Sequence, residues 1–221
     1  MFKWYRNAEV CIAYLPDVNT TQIGSHFLNS EWFERGWTLQ ELIAPATVTF
    51  YDYRWHMIGT KAQWAEGIEK ITRIPADVLT GRSSWTQWTV AQRLSWAAGR
   101  QTKKLEDRAH SLLGLFRINM SPLYGEGHKA FCRLQLEILQ KHPDDSILSW
   151  TSKYCHGPEN VLARSPDDFQ GCLHTQPVSL LHRDPPTFSP TRVTSWGTEL
   201  RANAHKLWPL PECRSISVNN Q

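Results

Sequence analysis

The sequence contains no apolar run approaching the roughly 20 residues needed to cross a bilayer. Its opening, MFKWYRN, mixes charge with aromatics where a secretory leader would carry an apolar stretch. Cysteine is scarce: Cys11, Cys132, Cys155, Cys172 and Cys213 are odd in number and far apart, which argues against a disulfide framework. Charge of one sign is not in excess either. The 24 basic and 21 acidic residues are interspersed, and no basic block offers a phosphate-tracking surface. These absences predict a cytoplasmic protein without a membrane span and without a nucleic-acid partner.

What is plentiful is tryptophan, and it is unevenly placed. Of eleven tryptophans nine precede residue 151, whereas eight of thirteen prolines follow residue 150. Proline at that density excludes long helices and leaves short strands and loops. Two regions are therefore expected, a packed domain over 1–150 and a proline-rich extension of irregular or β character over 151–221, with a strand or two between Phe188 and Leu200.

VCIAYL, from Val10 to Leu15, is a short apolar run closed by Pro16-Asp17, as expected of a strand covered on both faces. Residues 2–8 read as the end of a helix feeding it. A helix over 31–44 follows, capped by Asn29 or Ser30 and stopped by Pro45. TVTFYDY, from Thr47 to Tyr53, reads as a second strand, which completes a βαβ unit with parallel strands. Beyond it, apolar spacing predicts helices over 61–71, 89–100, 105–116 and 127–141.

The helix over 31–44, in SEWFERGWTLQELIAP, contains residues that packing alone does not require. Trp32, Gly36, Leu39, Leu42 and Ile43 form one apolar arc. Gln40 falls inside that arc and needs partners, since an unsatisfied buried amide costs roughly 1–3 kcal/mol. Gly36 in a helix interior costs about 1 kcal/mol against alanine and suggests a close approach. Glu41 lies about 40° round from Trp37, on the border of the polar face. On spacing alone such a glutamate is ordinarily solvated.

Five stretches carry a resemblance. FKWYRNAEVCIAYLPDV at 2–18, SEWFERGWTLQELIAPATVTFYD at 30–52, VAQRLSWAAGRQTKKLEDRAHSLLGLF at 90–116, INMSPLYGEGHKAF at 118–131 and DSILSW at 145–150 resemble, in order and spacing, the fungal heterokaryon-incompatibility (HET) domain. The resemblance covers about two thirds of the chain. It implies a role in vegetative incompatibility, as an effector of nonself recognition and programmed cell death. The HET domain is similar in layout to the TIR domain, so the implied fold class is α/β: a partial TIR-like (flavodoxin-like) parallel sheet with appended helices. Several TIR domains cleave NAD with a glutamate four residues after a tryptophan. By that likeness Glu41 would be catalytic, with Trp37 and Gln40 in the substrate site. NAD would be a substrate and no cofactor would be held. Thr38 stands where the TIR pattern has cysteine.

HET domains also open with a strand ending in Ser-His-x-Trp, a helix, and a second strand with an Asp-x-Cys-Cys-like pattern. None precedes Met1, so the resemblance implies a chain starting inside the following helix, by truncation or as a degenerate paralogue. The alternative to an NAD-cleaving effector is then a noncatalytic module that signals by self-association or through partner proteins, or an inert fragment.

The remaining constellations have plainer readings. Tyr124-Gly125-Glu126-Gly127 is expected to be the turn that starts a helix. Glu106-Asp107 is expected to complement a helix dipole, with an ion pair to Arg93 or Arg100 as the other option. Cys155-His156 and Cys172-x-His174 fit no zinc-ligand spacing, so no metal site is expected. No G-x-S-x-G nucleophile motif occurs.

Overall fold

Two short parallel strands lie at the middle of the fold, β1 (Cys11–Tyr14) and β2 (Val48–Tyr51), paired from Cys11↔Val48 to Tyr14↔Tyr51. The computed structural model describes residues 1–19, 25–151 and 161–174 and the short strands at 193–194 and 197–198. The βαβ unit is therefore present as the sequence predicts. The sheet is mixed, however: β3 (Met57–Thr60) runs antiparallel to β2, and the strand order is β1-β2-β3. The connection over 52–56 is far too short for a parallel crossover and can only form a hairpin. Buried Asp52 organises that hairpin, accepting the Arg54 and His56 N–H groups at 2.9 and 2.8 Å.

The segment over 31–44 is not one helix. A 3₁₀ turn, Glu31–Glu34, is capped by Ser30, then the chain extends at Arg35 before α3 (Thr38–Ile43) begins. The break is held from outside: Gln101 N–H donates to Glu34 O at 2.6 Å, and Gly36 N–H donates to Gln101 O at 2.8 Å. A Cβ on Gly36 would lie 2.5 Å from Thr102 Cγ2. The close approach expected at this glycine is real, and it divides the predicted helix.

Helix α1 (Phe2–Asn7) precedes β1 and packs on α3. After a four-residue helical turn α2 (Ser25–Leu28), the remaining α-helices among the described residues are α4 (Ala65–Thr72), α5 (Ala76–Leu79), α6 (Val90–Ser95), α7 (Asp107–His110) and α8 (Lys129–Lys141). Thr89 and Gln92 close a capping box on α6. Only the first turn of the helix expected over 105–116 is regular. The apolar spacing survives, because Ala109 in that turn and Leu112 and Phe116 in the turns that follow are fully buried. Ala130, Phe131, Leu134 and Ile138 line the buried face of α8 as their period predicts.

The core joins Val48, Phe50 and Ala13 of the sheet to Leu39, Leu42 and Ile43 of α3 and to Leu94, Trp96, Leu112 and Phe116. Phe27, Phe33, Phe50 and Trp32 meet edge-on or tilted in its aromatic centre. Residues 161–174 pack on the same body. Phe169 is fully buried, and Gln135 exchanges two hydrogen bonds with Ala163. Asp167 takes both terminal nitrogens of Arg108 at 2.7 and 2.6 Å and the Gly99 N–H at 2.7 Å.

By its contacts the chain divides between Leu181 and His182. The second unit contains β4 (Val193–Thr194) and β5 (Gly197–Thr198), an antiparallel pair inside the stretch where a strand or two was expected. Cys155 and His156 lie outside the described residues. Among the described residues no helix is long and apolar enough to cross a membrane, and no cluster of metal-ligating side chains occurs.

Candidate functional site

Glu41 is half-buried on α3, and its Oε1 accepts the hydroxyl of Tyr5 at 3.1 Å. Burial raises its carboxyl above the ordinary value; the Tyr5 hydrogen bond and the charge of Arg35 oppose that rise in part. Tyr5 is pushed up to about 12 by burial and by the Glu41 charge. The Cys11 thiol is raised in the same way, by burial first and Glu41 second. Three groups that are reluctant to carry negative charge thus converge from α1, β1 and α3.

Lys61 completes the neighbourhood. It is 3% exposed, and its Nζ donates to Leu42 O at 3.1 Å and to Pro45 O. The ammonium therefore meets the carbonyl end of α3, where a cation complements the dipole. Burial lowers it to about 8, against the opposing influence of Cys11. The site gathers at Cys11, the amino end of β1, whereas ligands in open α/β sheets ordinarily bind beyond the carboxyl ends of the strands.

The other two expected site residues have different surroundings. Trp37 is half-buried at the N-cap of α3 with helical backbone angles, so it lies one helical turn before Glu41 on the same side. Gln40 is 2% exposed; its Nε2 donates to Ser111 O, and its Oε1 lies against Gly114, where a Cβ would come within 2.7 Å. This supplies the partner its buried position demanded and ties α3 to the turns after α7.

Arg100 holds the turn that presents Trp37 and Glu41. Its Nε donates to Trp96 O at 3.1 Å, and its Nη1 donates to Arg35 O at 2.9 Å and Thr38 Oγ1 at 3.2 Å. The single Thr38 hydroxyl proton is shared between Trp32 O at 2.6 Å and Arg35 O at 2.7 Å. Thr38 thus braces the turn between the 3₁₀ segment and α3. Burial lowers the guanidinium to about 10.

The ion pair considered between Glu106 or Asp107 and Arg93 or Arg100 does not form among the described residues. Arg93 lies 4.7 Å over the Phe116 ring and donates to Leu115 O at 3.3 Å. Glu106 Oε1 accepts the N–H groups of Gly125 and Gly127 at 2.8 and 3.0 Å. Those residues have φ of 94° and 59°, so the glycine turn starts α8 as expected and is clasped by the carboxylate. Sequence reading missed Tyr5 and Lys61 because no motif marks them. Their only signal was the nearness of their elements to the βαβ unit.

An α/β core with a half-buried acid on its crossover helix defines the class of arrangement present. Against known proteins, a domain of unknown function (DUF8212) matches residues 129–195. The chain is also similar to the vegetative incompatibility protein HET-E-1 of Podospora anserina, 40% identical over 147 residues. That alignment takes in 62% of this chain and 11% of the Podospora protein, so the chain spans about a tenth of the length of this relative. No solved structure matches significantly.

Proposed function

We propose that the chain acts in fungal vegetative incompatibility, as a TIR-like effector whose working group is the Glu41 carboxylate. The observation carrying the class is the 40% identity to HET-E-1 over 147 residues. The observation carrying the residue is the covered carboxylate, oriented by Tyr5 and presented by the turn that Arg100 holds.

The chemistry suited to one such acid is cleavage of NAD at the nicotinamide–ribose bond. Nicotinamide leaves as a neutral molecule, so no general acid is required. The barrier lies in the ribosyl cation, whose charge a half-buried ionised carboxylate stabilises without reorganising; a water molecule then adds to the anomeric carbon, giving ADP-ribose and releasing a proton. Trp37, one turn earlier, supplies an aromatic wall for stacking and water exclusion. The ribose would approach from the amino end of β1. Because the ionised form does the work, activity should rise with pH through the raised pKa of Glu41.

Purified protein incubated with NAD should release nicotinamide. Glu41→Gln should lower that rate about 100-fold or more, the usual effect of removing one transition-state partner, with an unchanged circular dichroism spectrum. Wild-type protein that leaves NAD intact would remove the enzymatic reading and leave a noncatalytic signalling module.

A further inference from the structure

The way α1 is pinned brings Tyr5 to Glu41. Phe2 is buried, its ring tilted on Trp85 at 5.3 Å, and it lies over Gly114, where any side chain would collide with it. Tyr5 follows three residues later on the same side of the helix, toward α3, on which α1 packs. Trp4 lies on the other side and is exposed. The Tyr5 hydroxyl donates to Glu41 Oε1 at 3.1 Å, and among the described residues no other side chain hydrogen-bonds to that carboxylate.

A hydroxyl bonded to a carboxylate at this distance is the arrangement of a nucleophile and its base. Tyrosine fills the nucleophile's place in some glycosidases, which also pass through an oxocarbenium-like transition state. Nothing else nearby competes for the phenol proton. The Lys61 ammonium is committed to the carbonyls of Leu42 and Pro45. Tyr5 itself is pushed up to about 12, so its proton stays in place until a bond forms at the oxygen.

We propose that Tyr5 is the nucleophile that receives the ADP-ribosyl group, with Glu41 as its base. The proposal rests on the NAD-cleaving reading and adds a covalent intermediate to it. As the bond between C1′ and nicotinamide breaks, its electron pair leaves with nicotinamide, which loses its positive charge. A lone pair of Tyr5 Oη forms the new bond to C1′, and the phenol proton passes to Glu41 Oε1. The substrate cation and the carboxylate are neutralised together, which removes charge from a half-buried site. Water then displaces Oη at C1′. Glu41 returns its proton to the phenol, and ADP-ribose and a proton are released. A phenol that holds its proton so tightly is a poor leaving group, so the adduct lasts long enough to trap.

The test is to incubate the 221-residue chain with NAD labelled in the adenine ring, denature it in acid, digest it and map the label by mass spectrometry. ADP-ribose should be found on Tyr5. Neutral hydroxylamine, which cleaves a glutamyl ester, should not remove it, and neither should mercuric ion, which cleaves a thioglycoside at Cys11. Tyr5→Phe keeps the ring and its packing and should lose the label, as should Glu41→Gln, which lacks the base. Wild type should also exchange labelled nicotinamide into NAD by reversal of the adduct, and Tyr5→Phe should lose that exchange. A tyrosine that only orients Glu41 would never carry the label. A chain that releases no nicotinamide sinks NAD cleavage and the capture with it. Nicotinamide release without label on Tyr5, a label that hydroxylamine removes, or labelling unchanged in Tyr5→Phe overturns the capture alone and leaves Glu41 acting by its charge.

Discussion

Glu41 and Glu106 are two acids that the sequence marks out, and the fold treats them in opposite ways. Glu106 is held by backbone N–H groups, its own and those of Gly127 and Gly125, which keep its carboxyl below the ordinary range. Glu41 receives one tyrosine hydroxyl, and burial carries its carboxyl upward. The first environment binds the charge as part of the architecture; the second leaves the charge under-compensated. An acid kept in that state is available to a cation arriving from outside, and an acid already clasped is not.

The largest expected effect comes from removing the strut on the Glu41 side. Arg100→Ala leaves Trp96 O without its side-chain donor, removes one of two donors from Arg35 O and opens a cavity, costing about 2–4 kcal/mol by urea denaturation. The surviving fold should let Glu41 return toward its ordinary pKa while Glu106 stays low.

Glu106→Gln comes next. It removes charge-assisted bonds to Gly125 and Gly127, so the melting temperature should fall by several degrees. The sign with pH follows from the depressed carboxyl: its stabilisation is complete above the ordinary value of 4.5 and is lost as pH falls through the lower folded value. Thermal melts between pH 7 and pH 3 should therefore converge for wild type and variant at the acid end.

Glu41→Gln should change stability least, and in the other direction. The folded chain holds this proton more tightly than the unfolded chain, so stability declines as pH rises from the ordinary 4.5 through the raised value. Gln keeps the acceptor for Tyr5 and removes the buried charge. Equal or slightly higher melting temperature at pH 7 is expected, checked by the same melts. A loss as large as that of Glu106→Gln would erase the distinction between the two acids.

Sequence patterns carried the parts of the fold that repeat. The unbroken VCIAYL run and the β-branched TVTFYDY run gave the parallel pair, and the period of Ala130, Phe131, Leu134 and Ile138 gave α8. What escaped was set by partners distant in the chain. The segment over 31–44 has helical periodicity throughout, yet Gln101 enters at Gly36 and splits it. β3 was hidden because MIGT has little strand character of its own, and Asp52, not a motif, builds its hairpin. At the candidate site the Trp37–Glu41 spacing was legible. Tyr5 and Lys61 were not, since only tertiary packing brings a helix at residue 5 to the Glu41 carboxylate and a turn at residue 61 to the carbonyl end of α3.

Titration of the Glu41 side-chain carboxyl by carbon NMR, in wild type and in Tyr5→Phe, tests the arrangement most directly. The wild-type carboxyl should titrate above the ordinary glutamate range, and loss of the Tyr5 hydroxyl should move it higher still. A Glu41 carboxyl that titrates at or below the ordinary range, or that ignores Tyr5→Phe, would contradict the account.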